Sequence, residues 1–137
     1  MAGIHATDEH IELYNKLKIN KEYRCIIYGL NDARDEIKVF GTYGRDYTLE
    51  KLSQDLPANE CRYVLYDFEF QTFENPPRDT SKLLLISWAP DYAPIKVKVP
   101  FAATISEIRS AFTGIQKLVE ASDKSILDKE ELRKECS

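Results

Sequence analysis

The sequence is poor in the residues that usually announce chemistry. Its 137 residues include three cysteines, two histidines, five glycines and one methionine. The three cysteines, Cys25, Cys61 and Cys136, are odd in number and show no CxxC or CxH spacing. That argues against a disulfide framework and against a zinc site. Cys25 and Cys61 fall in apolar, strand-like runs and read as small buried hydrophobes, and reduced thiols fit a cytosolic compartment. His5 and His10 both lie near the N-terminus, too few to suggest metal or base chemistry. No G-x-S-x-G, P-loop or G-x-G-x-x-G is present, so the common nucleophile elbow and phosphate cradles are missing. The longest apolar run, Leu83–Ile86 carried through Ser87 to Trp88, is far short of a membrane span. Met1–His5 has neither a basic region nor an apolar one, so no secretory signal is expected and the cytoplasm is the default address. No cofactor, metal or membrane insertion is implied.

What the chain does contain is an ordinary globular balance. Apolar residues make up 43% and charged residues 31%, enough to build a core and one folded domain over residues 1–137. There are 19 Lys+Arg against 23 Asp+Glu, a net charge of −4. An acidic total argues against a nucleic-acid partner recognised by bulk charge, because phosphate contacts need a basic face.

Periodicity supplies the elements. Thr7-Asp8-Glu9 caps a helix over residues 7–18 with Ile11, Tyr14 and Leu17 at helical spacing. Residues 22–30 read as a central strand, Asn31–Asp35 as a turn, and Glu36–Phe40 as its hairpin partner, with Gly41 and Gly44 marking the next loop. Thr48 opens a short helix with Leu49, Leu52 and Leu56 on one face, stopped by Pro57. Cys61–Phe70 and Lys82–Trp88 are two further strands. Ile95–Val99 is ambiguous. Its alternation suggests a strand, Pro94 equally suits a first helical turn, and Pro100 argues against an uninterrupted helix. Ile105, Ile108 and Phe112 then share a helical face that Gly114 can end. Ile115–Ala121 reads as a short strand, and Ser125–Glu135 as a charged helix anchored by Ile126, Leu127 and Leu132. The fold class is therefore α/β (α+β): a central mixed sheet of four to five strands sandwiched by helices.

Several segments in order carry a resemblance. Leu56-Pro57-Ala58-Asn59-Glu60-Cys61-Arg62-Tyr63, continuing through Val64 to Phe70, resembles a strand signature of the actin-depolymerising factor/cofilin family. So do Trp88-Ala89-Pro90-Asp91-Tyr92-Ala93-Pro94 with Lys96-x-Lys98, the segment Tyr14-Asn15-Lys16-Leu17-Lys18, and Thr113-Gly114-Ile115. The resemblance spans residues 2–135 and implies the ADF-homology (gelsolin-like) fold. It assigns residues 94–112 to a long actin-binding helix, with a kink or irregular turn expected near Lys96–Pro100, since an interior proline removes one backbone bond.

The resemblance implies a partner and two surfaces. The partner is actin, as monomer and as filament with the ADP form preferred, and the activity is filament depolymerisation, severing and turnover by a monomeric, non-enzymatic protein. The first surface carries over as Gly3, Ile4, Lys96, Lys98 and Arg109, extending to Met1 and Ala2. If that stretch is helical, Lys96 and Lys98 project about 200° apart, which puts Lys96 first, or Lys98 first if Pro100 distorts the turn. Val99 and Ile108 are expected mainly in the core, and without the resemblance the two lysines would read as a solvated face. The second surface, for filaments, carries over as Arg78, Lys82, Glu131, Arg133 and Lys134. It is thinned by Thr80, which stands where some members have arginine. Gly3 occupies the slot of a regulatory serine, so phosphorylation control of that kind is not expected. Weak phosphoinositide binding would rest on Lys96, Lys98, Arg109 and Lys117. Residues 94–117 then hold four cations against Glu107, a local +3 (4 − 1). Two rival readings are a monomer-sequestering protein with weak severing and, remotely, a small thiol-dependent enzyme using Cys61 or Cys25.

Overall fold

The computed structural model describes residues 3–137. The first helix, α1 (Asp8–Lys18), starts at Thr7, whose Oγ1 accepts from the His10 N–H. His10 Nδ1 accepts from the Thr7 N–H at 3.0 Å, so a histidine closes the capping box. Burial lowers the His10 pKa and keeps that nitrogen free to accept. Strands β1 (Cys25–Leu30) and β2 (Ile37–Tyr43) follow, then α2 (Leu49–Asp55), β3 (Arg62–Gln71), β4 (Asp79–Trp88), α3 (Ile95–Ala111), β5 (Lys117–Ala121) and α4 (Lys129–Cys136).

The five strands form one sheet in the order β2-β1-β3-β4-β5. All neighbours are antiparallel except β4 and β5, which run parallel across the α3 connection. The mixed sheet is thus the one expected. Alternation along β1 divides two cores. Ile26 and Tyr28 pack with Tyr14 and Leu17 of α1 and Val97, Phe101 and Ile108 of α3. Cys25 and Ile27 pack with Leu52 of α2 and Leu132 of α4. With both faces covered, all six β1 residues are buried.

Several boundaries differ from the sequence reading. Gly41 lies inside β2, and the loop begins only after Tyr43. A Cβ on Gly41 would fall 2.5 Å from the Tyr43 hydroxyl oxygen, so glycine here admits a ring across the strand. The C-terminal stretch expected as one helix divides in two. Asp123 caps a 3-10 turn over Lys124–Ile126, and Asp128 then caps α4 by accepting from the Glu130 and Glu131 N–H groups. Ile126 and Leu127 therefore anchor the connection, and Leu132 anchors the helix.

The ambiguous stretch is helical, and α3 runs through Pro100 without an intervening turn. Pro94 sits at the N-cap, where a proline N is not missed. Pro100 cannot donate to the Lys96 carbonyl, and the loss of one bond does not divide the helix. Val97 is buried while Val99 is 61% exposed, so the local alternation does not reflect a shared face. Val99 thus lies outside the core, contrary to expectation, because two helical residues project about 200° apart. Ile108 is fully buried, as expected.

Candidate functional site

The long helix divides cleanly into a buried and an open side. Val97, Phe101, Thr104 and Ile108 face the sheet. The Phe101 ring stacks on Tyr63 at 4.2 Å, and the Tyr63 hydroxyl donates to the Phe101 carbonyl at 2.7 Å. On the other side Ile95 is 77% and Val99 61% exposed, with Ala102, Ala103, Ser106 and Ser110 beside them. Tyr92, just ahead of the helix, is 86% exposed. Its turn is held by the Ala93 N–H donating to the Pro90 carbonyl at 3.0 Å. Small and apolar side chains thus form the open strip.

The cations stand at the edges of this strip. Lys96 is exposed. Lys98 is half-buried, and its Nζ donates to the Asp91 carbonyl at 3.4 Å. Arg109 is exposed and shares the Lys98 edge, since eleven residues make about three turns. Lys96 is thus the more exposed of the two lysines.

The N-terminal segment lies alongside. Ile4 packs against the core under α1 and α3, and His5 Nδ1 approaches Glu107 Oε1 of α3 to 3.3 Å. That places exposed Gly3 and half-buried Ile4 next to the helix. Met1 and Ala2 lie outside the described residues. The far end of α3 is pinned to α1, because the Tyr14 hydroxyl and Lys18 Nζ both donate to the Thr113 carbonyl, at 2.7 and 2.9 Å. Gly114 follows at φ +95°, the left-handed conformation that glycine tolerates.

Of the residues carried over to the second surface, Arg78 and Lys82 line a groove of ≈ 510 Å³ between the β3–β4 hairpin and the end of α4, while Glu131, Arg133 and Lys134 lie outside its lining. Several are already engaged. Lys82 Nζ donates to the Cys136 carbonyl at 2.7 Å. Arg133 donates to the Gln71 and Thr72 carbonyls at 2.5 and 3.1 Å and stacks 3.8 Å over Phe73. Both side chains therefore brace α4 against the sheet. Arg78 pairs with Glu74 at 2.6 Å, and Glu131 with Lys134 at 3.5 Å, all four exposed. Thr80 lines the groove.

Lys117 does not join Lys96, Lys98 and Arg109. It alternates with Val119 and Ala121 toward the α4 side, where its Nζ lies 3.9 Å from Glu135. The sheet separates it from α3, so the four residues expected to share a phosphoinositide surface are not one patch, and the local +3 belongs to a segment, not a face.

Sequence reasoning missed Tyr92, Ile95 and Val99 as surface groups. Their spacing of three and four was a helical signal, masked by the alternation of Ile95–Val99. It also missed the buried Asp67, which pairs with Lys21 at 3.1 Å and Arg45 at 3.0 Å.

The three thiols are free and buried. Burial raises the pKa of Cys25, Cys61 and Cys136, and Asp55 adds to the effect at Cys25. A nucleophilic cysteine needs the opposite shift. Among the described residues no group of three or more His, Cys, Asp or Glu side chains is arranged to hold a metal, and no helix is long and apolar enough to cross a membrane.

The fold and this helix define a class: an α+β protein whose long helix carries an exposed apolar strip flanked by cations. The chain belongs to the actin-depolymerising factor/cofilin family, whose family model, described as cofilin/tropomyosin-type actin-binding protein, matches residues 3–137. It is 35% identical to cofilin of Saccharomyces cerevisiae over 122 residues, covering 89% of this chain and 84% of that one. It is 34% identical to actophorin of Acanthamoeba castellanii over 123 residues, covering 90% and 87%. The crystal structure of Streptomyces griseoflavus cofilin superposes with a TM-score of 0.87 at 32% identity, covering 98% of each chain. The family is one of actin-binding proteins that depolymerise filaments, and it is not an enzyme family.

Proposed function

We propose that this protein docks on monomeric and filamentous actin through the open side of α3, prefers the ADP form, and promotes filament turnover by severing and depolymerisation. The observation that carries this reading is the pairing of exposed Ile95 and Val99 with Lys96 and Arg109 at the strip's edges, beside the segment holding Gly3 and Ile4. Apolar side chains at the centre of an interface supply affinity, and rim cations steer an acidic partner. Fluorescence titration against ADP-actin monomers, beside co-sedimentation with filaments, tests it. Loss of neither binding after substitution of this strip would overturn the reading.

A second reading, monomer sequestration with weak severing, is favoured by the internal engagement of Lys82 and Arg133 and by Thr80. It leaves Arg78, Glu131 and Lys134 as the charges available for filaments. Strong pelleting with filaments would dispose of it. Phosphoinositide contacts on α3 would fall to Lys96, Lys98 and Arg109. The working form is a cytoplasmic monomer, with residues 1–137 acting as one domain on the actin cytoskeleton.

A further inference from the structure

Among the described residues three aromatic rings are exposed, those of Phe40, Phe73 and Tyr92. Two of them are already covered from within the chain. The Arg62 guanidinium lies 3.8 Å over Phe40, and that of Arg133 lies 3.8 Å over Phe73. Tyr92, the most exposed of the three, has neither a ring nor a cation against it among the described residues. The hydroxyls of Tyr14, Tyr28, Tyr47 and Tyr63 each donate to an oxygen of this chain. That of Tyr92 finds no such partner among the described residues, so both its ring and its polar tip are unspent.

The backbone beneath this ring is held at every step. Pro90 and Ala93 are buried on either side of exposed Asp91 and Tyr92. The Ala89 N–H donates to the Ala121 carbonyl of β5 at 2.9 Å, and the Ala93 N–H closes the turn on Pro90 at 3.0 Å. Lys98 Nζ reaches back to the Asp91 carbonyl at 3.4 Å. The Pro94 carbonyl then accepts from the Val97 and Lys98 N–H groups, at 2.9 and 3.1 Å, and so starts α3. Prolines at both ends of the turn fix two further backbone torsions. An exposed tyrosine on such a base is presented in advance. Only its two side-chain torsions remain to be ordered on docking, which keeps the entropy cost of a large contact low. Tyr92 stands three residues ahead of Ile95 and seven ahead of Val99, so it prolongs the apolar strip beyond the start of the helix.

We propose that Tyr92 is the affinity-determining anchor of the α3 face, its ring seated in an apolar recess of actin and its hydroxyl bonded to a polar group at that recess. Tyrosine is among the residues that carry most of the energy of an interface, because it buries a large ring and keeps a polar handle. The inference rests on the α3 docking reading and adds to it a residue that lies outside the helix.

The test uses the full chain and ADP-actin monomers. Tetranitromethane nitrates accessible phenols, and mass spectrometry follows the Tyr92 peptide in the free chain and with actin in excess. Tyr92 should be nitrated ahead of the buried tyrosines in the free chain and be shielded several-fold in the complex, a footprint that a purely structural role would not give. In fluorescence titrations Tyr92→Ala should weaken binding roughly tenfold or more, and by more than Ile95→Ser or Val99→Ser alone. Tyr92→Phe, which keeps the ring and loses the hydroxyl, should weaken it less than Tyr92→Ala. Urea melts of both variants should superpose on the parent, as expected of a solvent position. Parent-like affinity of Tyr92→Ala, or unchanged nitration of Tyr92 in a complex that the parent chain forms, overturns the anchor and leaves the α3 reading standing. Failure of the parent chain to bind monomers overturns that reading and the anchor with it.

Discussion

The sharpest perturbation is the double substitution Ile95→Ser, Val99→Ser on the open side of α3. Fully burying a branched aliphatic side chain is worth about 1.5–3 kcal/mol. Ile95 is 77% and Val99 61% exposed in the free protein, so docking can still recover roughly 1–2 kcal/mol from each by that same transfer scale. Serine forfeits most of this, and a joint loss of about 2–3 kcal/mol corresponds to roughly 30- to 150-fold weaker binding. Stability should barely change, because substitutions at solvent positions usually stay within about 0.5 kcal/mol. Had Val99 belonged to the core, as its sequence context suggested, truncation there would cost well over 1 kcal/mol of folding free energy by the large-to-small rule. Two measurements therefore decide: a urea melt, expected to superpose on the parent, and a fluorescence titration of ADP-actin monomers, expected to shift by more than an order of magnitude. A parent-like affinity in the folded variant would refute the docking face.

Further outcomes follow from neighbouring contacts. Lys96→Ala with Lys98→Ala should leave the melt within about 0.5 kcal/mol while monomer binding falls and loses much of its salt dependence. Unchanged affinity would remove the rim from the interface. Arg133→Lys should cost about 1–2 kcal/mol, because a lysine cannot replace the fork that holds the Gln71 and Thr72 carbonyls. Full stability with lost filament co-sedimentation would instead make Arg133 a direct contact. Asp67→Asn should cost about 2–3 kcal/mol in a urea melt. Removing one partner of a buried pair costs about 3–5 kcal/mol, and the half-open Lys21 and Arg45 reduce that figure. A parent-like melt would show that the site is solvated. Glu69 is held below the usual carboxylate range, first by its hydrogen bond from Arg24 and then by the charges of Arg24 and Arg45. Its unfolded form binds protons more readily, so its contribution is complete above about pH 4.3 and disappears as pH falls through the folded pKa. Glu69→Gln should therefore flatten the acid limb of the urea midpoint against pH, and an identical limb would assign the loss to other carboxylates.

Legibility followed the range of the interaction. Thr7 with Asp8 and Glu9 marked the start of α1, Thr48 and Pro57 bounded α2, and the apolar runs of β1, β3 and β4 announced buried strands. These signals lie within a turn or a pleat of the residue they describe. The Ile95–Val99 stretch was not legible locally, because alternation and helical spacing coexist over five residues. The end of the chain was misread for a similar reason. Asp123 and Asp128 are both good caps, and only packing of Ile126 and Leu127 shows that each caps a separate element.

The sequence by itself determined the class: a mixed sheet covered on both faces, carrying a family signature from one end of the chain to the other. Those properties depend on hydrophobic period and on local turn chemistry, which adjacent residues encode. Tertiary structure alone decided which charges remain free to meet a partner. Lys82 and Arg133 look like open cations in sequence and turn out to hold carbonyls fifty or more positions away. Lys117, near α3 in sequence, faces the other side of the sheet, while Arg34 and Arg62, twenty-eight positions apart, meet at one carboxylate. A side chain's availability depends on who stands opposite it across the fold, and the pairing of distant segments sets that.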